Sequence, residues 1–211
     1  MKRVVLSLLL GAAPLLASAA PVDLITNGSF EDVSSTAGVQ SLAPNTWQIF
    51  SSIPGWSSGS SGIEVRNNVA GAAYDGNLFI ELDTTSNSIA LQSIATVAGS
   101  VYDLTFFFSP RPGVTAATTN NIEVYWNGTL LQLLTGTGTS MHNWQAFNFS
   151  VTGTGSDTLR FVAAGTSDSY GGSLDMVSLT QAVPEPGTLA LLMGGLLAAF
   201  GARRARVNSK A

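Results

Sequence analysis

Between Pro21 and Ala182 the chain is a series of short apolar–polar alternations broken by clusters of Gly, Asn, Ser and Thr. A two-residue period with β-branched and aromatic residues, bounded by turn formers, is the pattern of half-buried strands. It predicts strands near Val22–Thr26, Gly62–Arg66, Asn77–Leu82, Ile89–Val97 and Val101–Phe108, and again near Asn121–Trp126, Thr129–Leu134, Trp144–Val151, Thr158–Ala163 and Ser173–Thr180. Many short strands at this spacing predict an all-β sandwich or barrel.

Two stretches carry the clearest local signals. In "IEVYWNGTLLQLL", Asn127-Gly128 separates two strand-like runs, and Asn-Gly suits the left-handed conformations of a two-residue hairpin turn. In "VYDLTFFFSP", Tyr102, Leu104, Phe106 and Phe108 share one face while Phe107 lies on the other, which predicts a strand covered on both sides near its end. The segments "SSGSSG", "TGTGTS" and "TGTGS" read as polar loops.

The two ends have a different character. Met1–Ala20 has a positive start (Lys2, Arg3), an apolar middle (Val4–Leu16) and a small-residue site at Ala17-Ser18-Ala19, the layout of a signal peptide removed by signal peptidase. After the 21–182 body come Val183-Pro184-Glu185-Pro186, an apolar run over about 189–202, then Arg203, Arg204, Arg206 and a basic tail to residue 211. The prolines interrupt regular structure and make a stiff spacer. Fourteen apolar residues span roughly 21 Å as a helix, short of the ~30 Å hydrocarbon core unless flanking residues snorkel or the bilayer thins. The arginines predict a cytoplasmic C-terminus with the body outside.

Charge narrows the partners. The body holds three basic residues (Arg66, Arg111, Arg160) against twelve carboxylates, a net −9. Such a surface excludes nucleic acid, whose binding rests on Lys and Arg at phosphates, and suits neutral ligands or calcium. The chain has no cysteine, so disulfides and thiolate chemistry are excluded.

Candidate catalytic patterns lack their context. Gly55-Trp56-Ser57-Ser58-Gly59 fits Gly-X-Ser-X-Gly, but Pro54 precedes it and it runs into "SSGSSG" where a helix is required. His142 is the one histidine any Ser-His-Asp arrangement would have to use. Glu81 and Asp83 in "IELD" share a strand face, as paired glycosidase acids do. We expect no catalytic residues and a non-enzymatic protein.

Two resemblances add to this reading. The Pro184-Glu185-Pro186 motif, the apolar run and the arginines Arg203, Arg204 and Arg206 resemble the PEP-CTERM protein-sorting signal of Gram-negative bacteria that make extracellular polysaccharide. That resemblance implies export across the inner membrane, transient anchoring there, recognition and cleavage by an exosortase, and a final place at the cell surface or in the extracellular matrix. "LITNGSFED", "IPGW" and "GGSLDMVSLT" resemble the galactose-binding-like jelly rolls found in many carbohydrate-binding modules. The resemblance implies a jelly-roll β-sandwich and, at the matching positions Glu31 and Asp175, a structural calcium. Capping by backbone amides is the other reading of these two carboxylates. Trp56 has two readings, a sugar-stacking loop aromatic or a core residue, and so does Arg111, a rim contact for a polar ligand or the partner of a nearby acid. The function expected is that of an exported surface or matrix protein that binds polysaccharide; the alternatives are a structural matrix component without a ligand site and a secreted hydrolase.

Overall fold

The computed structural model describes residues 21–34, 41–182 and Gly195. The signal peptide and the sorting helix expected at about 189–202 lie outside the described residues. Among the described residues no helix is long and apolar enough to cross a membrane.

The body is built from twelve strands: β1 (Trp47–Phe50), β2 (Ser52–Ile53), β3 (Trp56–Ser58), β4 (Ile63–Asn67), β5 (Leu78–Glu81), β6 (Ile89–Ala95), β7 (Val101–Ser109), β8 (Ile122–Trp126), β9 (Thr129–Leu134), β10 (Gln145–Thr152), β11 (Ser156–Ala163) and β12 (Ser173–Gln181). They form two six-stranded antiparallel sheets, β1-β4-β5-β12-β7-β10 and β2-β3-β6-β11-β8-β9. Chain neighbours repeatedly enter opposite sheets, giving a jelly-roll sandwich. Nine of these strands coincide with expected runs. The expected first strand is reduced to a single bridge, Asp23 to Thr180. β1, β2 and β3 were not expected, because each is too short to show a period against its Ser-rich surroundings.

Alternation explains the core. Tyr102, Leu104, Phe106 and Phe108 of β7 are buried between the sheets, and Phe107 points to the outer face under Tyr74, ring centroids 3.5 Å apart. The inner faces meet through Phe106, Phe161, Trp56 and Phe30, with neighbouring ring centroids 5.0–6.2 Å apart. The hairpin at Asn127-Gly128 forms as expected, with φ of 49° and 79°. Asn127 also reaches across the sheet: its amide donates to Asp157 Oδ1 at 2.5 Å and its Oδ1 accepts from the Thr158 amide at 2.8 Å.

The motif Asn27–Glu31 becomes intelligible beside β12. A bulge between Asp175 and Ser178 turns the Val177 amide toward the Gly28 carbonyl, 2.9 Å away. A Cβ on Gly28 would stand 1.9 Å from the Val177 carbonyl oxygen, so only glycine admits this contact.

Two predictions follow from this packing. Trp56 is 2 % exposed and its Nε1 donates to the Asn27 carbonyl at 3.0 Å. Trp56→Ala should cost about 3–5 kcal/mol of stability, measured by denaturant unfolding. Asp157 is opposed by burial, yet hydrogen bonds from Thr96, Asn127 and Thr154 outweigh it and hold its carboxyl down at about 2. A depressed acid stabilises the folded state above its unfolded value and loses that contribution as the pH falls through the folded one. Melting temperature should therefore drop between pH 4 and pH 2, and Asp157→Asn should flatten that limb of the profile.

Candidate functional site

Strand alternation sends Glu64 and Arg66 of β4, and Phe79 and Glu81 of β5, to the outer face of the first sheet, away from the core. Registry places Glu64 opposite Glu81, and Trp47 of β1 opposite Arg66 on the same face. Charged residues on an outer face are ordinarily solvated, but here loops roof them over: Glu64, Arg66 and Glu81 are 3 %, 4 % and 1 % exposed. Arg111, from the loop after β7, completes the group.

The four side chains form a closed ionic cluster. Arg66 Nη2 lies 2.5 Å from Glu64 Oε1 and Arg66 Nε 3.2 Å from Glu81 Oε2, while Arg111 Nη1 pairs with Glu81 Oε1. The Gly171 amide donates to Glu81 at 3.3 Å. Burial pushes Glu81 up to about 7 against the pull of Arg66 and Arg111, and burial likewise raises Glu64. Arg66 Nη1 is buried and has no hydrogen-bond partner.

Above this floor opens a cleft of about 320 Å³, lined by Trp47, Glu64, Arg66, Val69, Thr84, Thr85, Arg111, Asp168, Ser169 and Tyr170. A second cleft of about 440 Å³, walled by the Pro112–Ala116 loop, shares Arg111, Asp168 and Tyr170 with it. The Arg111 guanidinium sits 4.5 Å from the Tyr170 ring centroid, so this stacked pair is the ridge where the clefts meet. Trp47 and Tyr170 stay 53 % and 47 % exposed, apolar faces open to a ligand. Asp83 holds the loop in place by accepting the Asp168 and Ser169 amides at 2.8 and 3.0 Å.

Further along the same face, Phe79, His142 and Trp144 pack together, with His142 stacked on Trp144 at 4.7 Å and edge-on to Phe79 at 4.9 Å. Burial pushes His142 down to about 4, so its ring is neutral. Its Nδ1 lies 3.1 Å from Ser109 Oγ, but Ser109 is 0 % exposed and its hydroxyl already bonds the Pro110 carbonyl and the Asn143 amide. That serine is a packing residue, closed to a substrate.

The residues singled out in the sequence fall in three places. Arg111 is in the cleft. Trp56 is corrected: buried against Phe30 and Phe161, it has no free face for a sugar. Glu31 and Asp175 meet at the two ends of the 74–78 loop. Asp175 accepts the Tyr74, Asp75 and Met176 amides at 2.7–3.0 Å, and Glu31 Oε1 accepts those of Asn77 and Leu78 at 2.7 and 2.6 Å. Burial pushes Asp175 up to about 7 despite these donors. As arranged, the pair is met by N–H donors rather than by further oxygen ligands, and no group of three or more Asp, Glu or His among the described residues could hold a metal ion. This donor set fits a loop anchor and does not fit a calcium cage. Glu64, Arg66 and Tyr170 were not singled out as ligand residues. The signal available was the alternation in "IEVRN", which sets two opposite charges on one face around Val65.

Comparison with known proteins bears on the tail and the fold. The PEP-CTERM protein-sorting motif matches residues 182–206. No curated protein matches the sequence. Among solved structures, the Stig cyclase Fisc from Fischerella sp. TAU, in complex with (3Z)-3-(1-methyl-2-pyrrolidinylidene)-3H-indole, aligns at TM-score 0.52 and 15 % identity over 79 % of this chain and all of that one. TmCBM61 in complex with β-1,4-galactotriose aligns at TM-score 0.47 and 17 % identity, covering 76 % of this chain and 99 % of that one. A family 35 carbohydrate binding module from Clostridium thermocellum aligns at 0.42 and 14 %, covering 65 % and 99 %. At such identities the likeness is one of fold. The chain is an all-β jelly-roll sandwich followed by a PEP-CTERM protein-sorting motif at residues 182–206, which implies exosortase-sorted export.

Proposed function

We propose that this is an exported, non-enzymatic protein of the cell surface or matrix that binds neutral polysaccharide in the twin cleft over Arg66, Arg111 and Tyr170. One observation carries the reading: Trp47 and Tyr170 stand about half-exposed on the rim of an open cleft whose floor holds paired guanidiniums and carboxylates. Sugar hydroxyls both donate and accept, so they suit a floor that offers Arg66 and Arg111 as donors beside Glu64 and Asp168 as acceptors. The floor sets two guanidiniums against three carboxylates, which leaves an acidic sugar without net attraction. The faces of Trp47 and Tyr170 suit the C–H faces of sugar rings. Two clefts joined at one ridge suit an extended chain better than a single small molecule.

The hydrolase alternative finds no support in the acids that prompted it. Glu81 is locked between two arginines and Asp83 anchors a loop. Calcium is favoured by the convergence of Glu31 and Asp175 on one loop and opposed by five amide donors already placed on them.

An array of neutral oligosaccharides, followed by calorimetry on the hits, tests the proposal. Trp47→Ala and Tyr170→Ala should each weaken binding about tenfold or more, the usual loss for a central aromatic contact. Leu130→Ala, on the edge of the other sheet, should leave affinity unchanged; equal losses from all three, or no hit on the array, would count against the cleft. For the carboxylate pair, melting curves in excess calcium and in excess chelator should superimpose. A higher melting temperature with calcium would make the pair a metal site.

A further inference from the structure

We infer that the end of the sandwich where Pro21 and Ala182 meet is a membrane-docking surface that rests on the lipid bilayer while the tail is anchored. Here an apolar cleft of about 500 Å³ is lined by Pro21, Val22, Leu24, Val97, Tyr102 and Ala182, among others, and no charged residue lines it. Of these, Val22 and Val97 are 75 % and 61 % exposed, and Val101 outside the lining is 44 % exposed. Uncharged apolar surface gathered at one end of a body of net −9 marks an interaction site.

The occupant follows from where the chain leaves. Ala182 lines the cleft, and its amide donates to the Val101 carbonyl at 2.9 Å. Six residues, Val183–Thr188, separate it from the apolar run that begins at Leu189. Fully extended, that spacer reaches on the order of 25 Å. A tail inserted in the bilayer therefore keeps this end close to the interface. Burying three valines and the cleft there adds favourable apolar transfer at each encounter. The lining side chains are uncharged, which suits zwitterionic lipid, and removal of the signal peptide leaves the Pro21 ammonium as the charge at the cleft.

The same geometry aims the ligand cleft outward. β7 runs from Val101, beside the apolar cleft, to Ser109, next to Arg111, and β12 runs back from Ser173 to Gln181. Eight steps of ~3.3 Å place the two clefts at opposite ends of the sandwich, roughly 26 Å apart. A body seated on its apolar end presents Trp47 and Tyr170 away from the membrane.

The inference rests on the reading that the 189–202 run inserts, and the experiment separates the two. The chain has no cysteine, so single cysteines at Val97→Cys, Met141→Cys and Ala199→Cys carry a fluorophore uniquely. Met141, 68 % exposed, precedes β10 at the ligand end. Each variant, purified with its tail intact, is reconstituted in phosphatidylethanolamine–phosphatidylcholine vesicles with or without doxyl-labelled lipid. The Ala199 probe should lose fluorescence to doxyl lipid, the Val97 probe should lose it as well and resist iodide, and the Met141 probe should respond to iodide alone. A quenched Ala199 with a Val97 open to iodide overturns docking and leaves insertion standing. A Val97 shielded from both quenchers means that the tail itself or a second copy fills the cleft, and docking falls. An unquenched Ala199 removes insertion, and docking with it.

Discussion

The closure of the N-terminal segment onto β12 is the contact on which the rest of this structure depends. The Leu24 amide bonds the Leu179 carbonyl, the Leu179 amide bonds Asp23, and the Val177 amide bonds Gly28 across the bulge. These bonds seat Phe30 in the core against Trp56 and bring Glu31 beside the loop that Asp175 holds from the other side. They also place Pro21 and Ala182 together at one end. With Pro21 and Ala182 held there, the loops of the opposite end are free to roof the clefts around Arg111.

At that opposite end the sandwich does something its core does not require. An outer sheet face can remain wet, and solvated charges on it cost little. Instead two arginines and two glutamates are roofed by loops, with their desolvation offset mainly by one another. Glu81 bonds both guanidiniums and the Gly171 amide, so it fixes Arg66 and Arg111 relative to the backbone of the β11–β12 loop. Asp83, two residues on, fixes the same loop through its amides. The two acids in "IELD" thus share one task, holding a rigid floor and rim. Rigid polar groups placed before a ligand arrives reduce the ordering cost of binding.

Polarity along the long axis joins the two ends into one arrangement. Pro21, Ala182 and the apolar cleft lie at one end, and the aromatic-rimmed clefts at the other. A sandwich suits this because each long strand carries its residues rigidly from end to end, so a tail at one end orients a site at the other.

The alternating pattern by itself determined most of the sheet. Runs such as Val101–Ser109 and Ser156–Ala163 show their faces in a period of two, and Asn127-Gly128 names its own turn through the φ angles it tolerates. The order of prolines, apolar residues and arginines after Ala182 determined the sorting motif in the same local way. Which faces lay beneath loops could not be read, because burial is a property of contacts distant in sequence. Trp56 looks like a loop aromatic beside "SSGSSG" until Phe30 and Phe161 close over it. Glu64 and Arg66 look like ordinary surface charges until loops near residues 84, 111 and 169 cover them. Glu31 and Asp175 look like metal ligands until the 74–78 loop offers its amides. Local period set the strands; the tertiary fold alone decided which side chains water could reach, and so which of them were left to bind.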